Sequence, residues 1–218
     1  MDKIIIFGLK ENSEIANYYL EIDSPYKPVA FCVHEEYIKE SIFNGLPVVG
    51  FENIQKEFPS KDYKFIAPLA PSKMNQVREG VYNQIQSKGY DFISYISSKA
   101  NVYSERIGKN CFILEGNTIQ PFVSIGNNVL MWSGNHIGHH SHIEDHVTFT
   151  SQVVLSGRCH VGSNCFFGVN SSIRDGVVIA QGTFVSMGSI VTSNTKEWSV
   201  YKSDEAKLVN IPSTRVKF

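Results

Sequence analysis

Every sixth residue from Ile107 to Val191 is apolar: Ile107, Ile113, Ile119, Ile125, Met131, Ile137, Ile143, Phe149, Leu155, Val161, Phe167, Ile173, Ile179, Val185 and Val191. At the abundance of such residues here, chance gives an unbroken run of this length on the order of once in ten million, so a repeat must be read before any other signal. Four residues after each apolar position stands a second small or modest one: Cys111, Asn117, Val123, Val129, Asn135, Ser141, Val147, Val153, Cys159, Cys165, Ser171, Val177, Thr183 and Ser189. Two inward positions per hexad mean a narrow, filled core. Three hexads close one turn of a triangular β-helix, so the run makes about five coils stacked at the ordinary inter-strand spacing of about 4.8 Å.

Residues 18 apart then sit directly above one another. Asn117 and Asn135 are expected to form an internal amide ladder. His142 and His160 are expected to stack on an outer face. Six of the seven histidines fall on this lattice. Three of the four cysteines (Cys111, Cys159, Cys165) share one inward position, and none forms a CxxC pair with another or with Cys32, so they read as reduced core residues.

The first hundred residues follow another pattern. Apolar runs at Lys3–Gly8, Pro28–Val33, Lys64–Leu69 and Tyr90–Ile96 read as strands, and Gly45–Gly50 as a turn and a short strand. Segments 12–21 and 73–88 carry apolar residues at helical spacing, the second closed by Gly89. Alternating strand and helix predict a small open parallel sheet, Rossmann-like, with ligands at the carboxyl ends of its strands. The first such end, Gly8-Leu9-Lys10-Glu11-Asn12-Ser13, has one glycine where a phosphate cradle has several. Ser13 reads equally as a helix cap.

A net charge of −1 argues against nucleic-acid binding by bulk electrostatics. No run of 18 apolar residues predicts a membrane span, and Met1-Asp2-Lys3 enters a strand directly without a signal-peptide pattern, so a cytoplasmic location is expected.

These hexads, following a small α/β domain, resemble the sugar O-/N-acyltransferases of the sialic-acid O-acetyltransferase type and the bacterial nucleotide-linked amino-sugar N-acetyltransferases. The resemblance covers nearly the whole chain. It is carried by Gly45-Leu46-Pro47-Val48-Val49-Gly50, by Ala100-Asn101-Val102 before Arg106-Ile107-Gly108, and by Gly168-Val169-Asn170. It implies a left-handed β-helix, a homotrimer, and acetyl-CoA bound between subunits as co-substrate. It divides the chain into an α/β acceptor domain (1–98), the β-helix (99–197) and a C-terminal tail (198–218). The acceptor it implies is a sugar, most simply nucleotide-linked, in surface polysaccharide synthesis.

Ile137-Gly138-His139-His140 and Ser156-Gly157-Arg158-Cys159-His160-Val161-Gly162 match the family's catalytic segments. The resemblance therefore makes His139 the general base, with His140 where the family usually has a carboxylate. Acyl transfer from a thioester needs a base for an amine or hydroxyl, and a neutral imidazole supplies one. The tetrahedral oxyanion needs a donor, assigned to a backbone N–H near Gly157. Gly157, Gly168, Val169, Ser186, Met187 and Gly188 match acyl-CoA-binding segments; Lys202, Lys207 or Arg215 is the candidate to meet its phosphates, the alternative being a solvated tail. Gly8, Lys10, Asn12 and His34 hold the acceptor's nucleotide on the same analogy, although the first loop lacks the family's glycines and Val33-His34 replaces its paired aspartates. No metal is expected. Two other classes stay open: a non-catalytic trimeric scaffold, and a zinc enzyme like γ-type carbonic anhydrase, which needs two histidines five apart that this chain lacks.

Overall fold

A computed structural model describes residues 2–206 and 212–215. Its N-terminal half holds β1 (Lys3–Phe7), α1 (Glu11–Ile22), β2 (Lys27–Val33), β3 (Ile42–Phe43), β4 (Leu46–Gly50), β5 (Tyr63–Ile66), α2 (Gln76–Ser87) and β6 (Asp91–Phe92). The sheet order is β3-β4-β2-β1-β5-β6, and every pair is parallel except β3 with β4. Alternate residues of β1 face opposite sides, as the two-residue strand period requires. Ile5 and Phe7 pack with Phe65, Val81 and Ile85 under α2. Ile4 and Ile6 pack with Ala16 and Leu20 of α1 and with Phe112, Leu114 and Leu130 of the repeat. The α/β sheet and the solenoid thus share a core.

The repeat forms a three-faced parallel solenoid. One face carries Phe112–Ile113, Leu130–Met131, Thr148–Phe149, Phe166–Phe167 and Phe184–Val185. The second carries Thr118–Ile119, His136–Ile137, Val154–Leu155, Ser172–Ile173 and Ile190–Val191. The third carries Ser124–Ile125, His142–Ile143, His160–Val161 and Val178–Ile179. Strands pair with the one 18 residues on, for example His142 with His160 and Ile143 with Val161, except at the end of the first face, where Phe184–Val185 pairs with Val200–Tyr201, 16 residues on, so the solenoid runs into the segment expected as tail from residue 198. Aromatic residues stack along the same lattice: Phe149 and Phe167 lie 4.5 Å apart at 3° inside the core.

Each corner turns on one backbone device. In every hexad from Ile107 to Val185 the fourth residue is left-handed, from Asn110 (φ 54°) and Gly116 (φ 70°) to Gly188 (φ 67°). Asn and Gly take this region readily and fill most of these positions, but Phe122, Gln152 and Arg158 take it as well. Continuous ladder pairing on either side overrides their preference.

Three expectations are modified. The solenoid begins ahead of residue 99: the single strand read over Tyr90–Ile96 splits, Asp91–Phe92 pairing with β5 and Tyr95–Ile96 with Phe112–Ile113. Ile96 pairs with Ile113 and Val102 with Ile119, one residue short of the 18-residue step, so hexad counting does not reach this first coil. Helix α2 starts at Gln76 rather than 73, because Lys73, Met74 and Asn75 are left-handed (φ 48°, 52° and 64°). Asn117 and Asn135 do stack, but their amides bond to backbone instead of to each other: Asn135 N donates to Asn117 Oδ1 (3.2 Å), and Val153 N to Asn135 Oδ1 (2.8 Å). Orphan backbone N–H groups inside a narrow prism are stronger claimants for those carbonyls.

The bent entry to α2 carries Asn75 and Arg78 into the solenoid. Arg78 is 2 % exposed. Its guanidinium donates to Asn75 Oδ1 (2.9 Å), Thr148 Oγ1 (2.7 Å) and the Asn128 carbonyl, with no carboxylate in contact. Burial lowers its pKa to about 10. All four free cysteines are buried, and burial pushes the Cys111 and Cys165 thiols up to about 11 and about 12.

Candidate active site

His139 stands at the corner between the second and third faces, half-buried, with its N–H donated to Gln120 Oε1 (2.9 Å). The pairing of strands on both sides fixes its backbone. Its Nδ1 lies 3.1 Å from His140 Nδ1, the two rings nearly perpendicular at 88°. A contact between two imidazole nitrogens needs one proton, so assigning it to His139 Nδ1 leaves Nε2 with a free lone pair. His140 itself is exposed and left-handed (φ 59°), with its ring over Phe122 at 4.6 Å.

The His139 ring lies over Gly157, one coil on. A Cβ at Gly157 would stand 2.8 Å from His139 Cε1 and 2.9 Å from Nε2. It would stand equally 2.9 Å from Asp175 Oδ1, which approaches from the coil beyond. Residues 139, 157 and 175 form one column at the 18-residue step. Sequence reasoning singled out the first two and missed Asp175, although the same lattice points to it.

Backbone N–H groups at this corner are not equivalent. The N–H of His139 is covered by Gln120, whereas the N–H of Gly157 has no acceptor among the described residues. The position corresponding to Gln120 one coil on is Gly138, which has no side chain to offer. An uncommitted donor therefore shares the column of the imidazole, and an oxyanion requires a donor.

Gly168, Val169, Ser186, Met187 and Gly188 come together at the corner between the first and second faces. Gly188 N donates to Val169 O (2.8 Å), and Ser203 Oγ to Met187 O (2.8 Å). Val169 and Met187 are exposed. The width of the second face separates this group from His139 and Gly157. One copy of the chain does not bring the two groups together.

Gly8, Lys10, Asn12 and His34 lie at the carboxyl ends of β1 and β2. Gly8 is left-handed (φ 117°) and its N–H donates to Cys32 O (2.8 Å), so this amide is already spent. Ser13 Oγ occupies the space where a Gly8 side chain would go, and it bonds Phe7 O (3.2 Å). Lys10 is exposed and caps α1, its carbonyl accepting from Ser13 N and Glu14 N. His34 Nδ1 contacts Glu52 Oε1 (2.9 Å); burial raises the Glu52 pKa, but this contact and the Glu35 N–H together hold its carboxyl below the ordinary value. Lys202 pairs with Glu205 (3.2 Å), and Lys207 lies outside the described residues.

His142 and His160 lie one above the other at 5.1 Å but tilted by 53°, and each is tied down: His142 Nδ1 to Ser124 Oγ (2.6 Å), His160 Nε2 to Glu144 Oε1 (2.8 Å). Among the described residues no group of three or more His, Cys, Asp or Glu side chains is arranged to hold a metal ion. Among the same residues no helix is long and apolar enough to cross a membrane.

The hexapeptide repeat of succinyl-transferase matches residues 159–193. The solved structures supply the architecture. A variant of perosamine N-acetyltransferase from Caulobacter crescentus, in complex with CoA and GDP-perosamine, superposes with a TM-score of 0.81 at 19 % identity, covering 92 % of this chain and 93 % of that one. The acetyltransferase domain of PglB from Neisseria gonorrhoeae, in complex with acetyl coenzyme A, gives 0.81 at 14 % identity, covering 91 % and 94 %. WeeI from Acinetobacter baumannii gives 0.76 at 18 % identity, covering 92 % and 96 %. No curated protein sequence matches the chain. The fold is therefore an α/β N-terminal domain on a left-handed β-helix of hexapeptide repeats, the fold of the sugar N-acetyltransferases.

Proposed function

We propose that this chain transfers an acyl group, acetyl first, from coenzyme A to an amino or hydroxyl group of a sugar, with His139 as general base. The observation that carries the reading is the juxtaposition at one corner of the His139 imidazole, whose Nε2 makes no hydrogen bond among the described residues, and a backbone donor at Gly157 with no acceptor among them. Attack on a thioester needs both, a base for the nucleophile's proton and a donor for the oxygen that becomes negative. The solved structures with acetyl-CoA, or with CoA and GDP-perosamine, support this choice of donor and acceptor class.

The working form in this reading is a homotrimer, in the cytoplasm. The N-terminal domain covers the first face of the solenoid and leaves the second and third bare. Val154, Val178 and Ile190 point outward there, Ile190 77 % exposed. Packing these faces between copies brings the His139 corner of one subunit toward the Gly168–Gly188 corner of the next, which a single chain does not achieve. The acceptor's nucleotide lies in this reading at the carboxyl ends of β1 and β2, near Lys10, Asn12 and His34. With the Gly8 N–H committed to Cys32, its phosphates are held by something other than a glycine cradle.

Calorimetric titration with acetyl-CoA tests the donor half. Saturable binding near one site per subunit supports it. No binding by a folded trimer overturns it and favours the scaffold. Light scattering tests the assembly, and a monomer would remove the inter-subunit site.

A further inference from the structure

The column that holds His139 and Gly157 ends on a carboxylate the catalytic reading does not use. We propose that Asp175 is a further acceptor-binding residue, which takes a second hydrogen of the nucleophile and so selects a primary amine over a hydroxyl. The inference rests on the acyl-transfer reading and deepens it.

The geometry is set by a missing side chain. His139 Nε2 and Asp175 Oδ1 each lie 2.9 Å from the point where a Cβ of Gly157 would sit. They reach this point from coils on opposite sides of Gly157. They make no ion pair with each other, so they are more than 4.0 Å apart, and two atoms 2.9 Å from one point are less than about 6 Å apart; that point lies against the Gly157 backbone, so a nitrogen that bonds both stands in front of it. Asp175 is exposed and forms no ion pair with a cation among the described residues, which leaves both of its oxygens free to accept.

The chemistry then discriminates by counting hydrogens. An ionised carboxylate accepts only. A sugar hydroxyl has a single hydrogen, which it must give to His139 as it attacks, and it offers Asp175 nothing. A sugar ammonium has three. It gives one proton to His139 Nε2, and the freed lone pair attacks the thioester carbonyl carbon while a remaining N–H stays on Asp175. The C–N bond forms and the carbonyl oxygen turns negative beside the Gly157 N–H. Collapse breaks the C–S bond, and the nitrogen's second proton leaves with the sulfur as CoA–SH. The products are the amide, CoA–SH and one proton on His139. His140 cannot substitute for Asp175, because an imidazole carries no negative charge to draw in an ammonium.

The test is made on the full chain and reads binding apart from turnover. Crystals of the wild type and of Asp175→Asn are soaked in methylammonium chloride, and acetyl-CoA binding by both proteins is measured by calorimetry. The expected result is a methylammonium nitrogen within hydrogen-bond distance of both His139 Nε2 and an Asp175 oxygen, absent in Asp175→Asn, with acetyl-CoA affinity unchanged. An empty site in the wild type, or equal occupancy in the variant, overturns the role of Asp175. Failure of both proteins to bind acetyl-CoA instead removes the acyl-transfer reading on which the role depends. In turnover with an amine acceptor, Asp175→Asn is expected to raise KM for the amine by about tenfold or more, the loss of one charge-assisted hydrogen bond, and to leave KM for acetyl-CoA in place. Asp175→Glu is expected to recover part of it. Equal KM values in the variant and the wild type overturn the role.

Discussion

Gly138 leaves the nitrogen of Gly157 uncovered: a Cβ at 138 would stand 2.5 Å from it and would also strike the Ser156 carbonyl carbon. These are main-chain atoms held in a ladder, which cannot move aside as a flexible side chain does. Gly138→Ala is therefore expected to cost about 1–3 kcal/mol of stability, the usual range for overpacking. It should also lower turnover by about 100-fold or more, since displacing one oxyanion donor costs that much. Urea unfolding and turnover of the variant check the two parts, and wild-type turnover would show that the Gly157 N–H has no role.

His139→Ala removes the imidazole without altering the strand pairing on either side. Turnover should fall by at least about 100-fold with acetyl-CoA binding retained, in line with loss of a general base. Unchanged turnover would move the base elsewhere. His140→Ala should be milder, because His140 orients His139 through a single Nδ1 contact at 3.1 Å.

Arg78 ties α2 to two coils of the solenoid through Asn75, Thr148 and Asn128. Arg78→Met keeps most of the stem volume and strands those polar partners in the core. A loss of about 3 kcal/mol is expected, with the solenoid's circular dichroism preserved in the folded protein. Chemical denaturation measures it, and a loss under about 1 kcal/mol would mean that water replaces the guanidinium.

His146 gives stability a pH dependence of known sign. It is 8 % exposed, and burial lowers its pKa below the ordinary 6.5, against the opposing pull of Glu79 and Asp145 and with the help of Arg78. Asn128 Nδ2 donates to its Nδ1 (2.9 Å), which can accept only while that nitrogen is unprotonated. The unfolded chain then binds a proton more readily than the folded one. This contribution is fully present above about pH 6.5 and is lost as pH falls from there toward the folded value. The drop in urea midpoint between pH 7.5 and pH 5.5 should be smaller in His146→Asn than in the wild type. Equal drops would mean that His146 takes up its proton alike in the folded and unfolded chain.

How far the sequence could be read depended on how local each cause was. The apolar residue of each hexad faces the core because a short strand between two corners has only one inward direction. The vertical partners His142 and His160, or Phe149 and Phe167, follow from the 18-residue step without further information. The first coil escaped because Ile96 and Val102 pair at a step of 17. The start of α2 escaped because three successive left-handed residues serve a contact 70 residues away, Arg78 with Thr148. Asp175 lay on the lattice all along. Nothing in its own neighbourhood distinguishes it from any other corner acid.

The sequence by itself determined the solenoid, its inward residues and the column on which His139 sits, because a repeating pattern of burial leaves one periodic way to pair the backbone. Only the tertiary structure decided which faces the N-terminal domain covers, that the Gly8 N–H is spent on Cys32, that the Gly157 N–H finds no acceptor among the described residues, and that His139 and Asp175 approach Gly157 from either side. Those outcomes depend on side chains that are absent as much as on those present. The consequence of a missing side chain appears only when the neighbouring coil is in place.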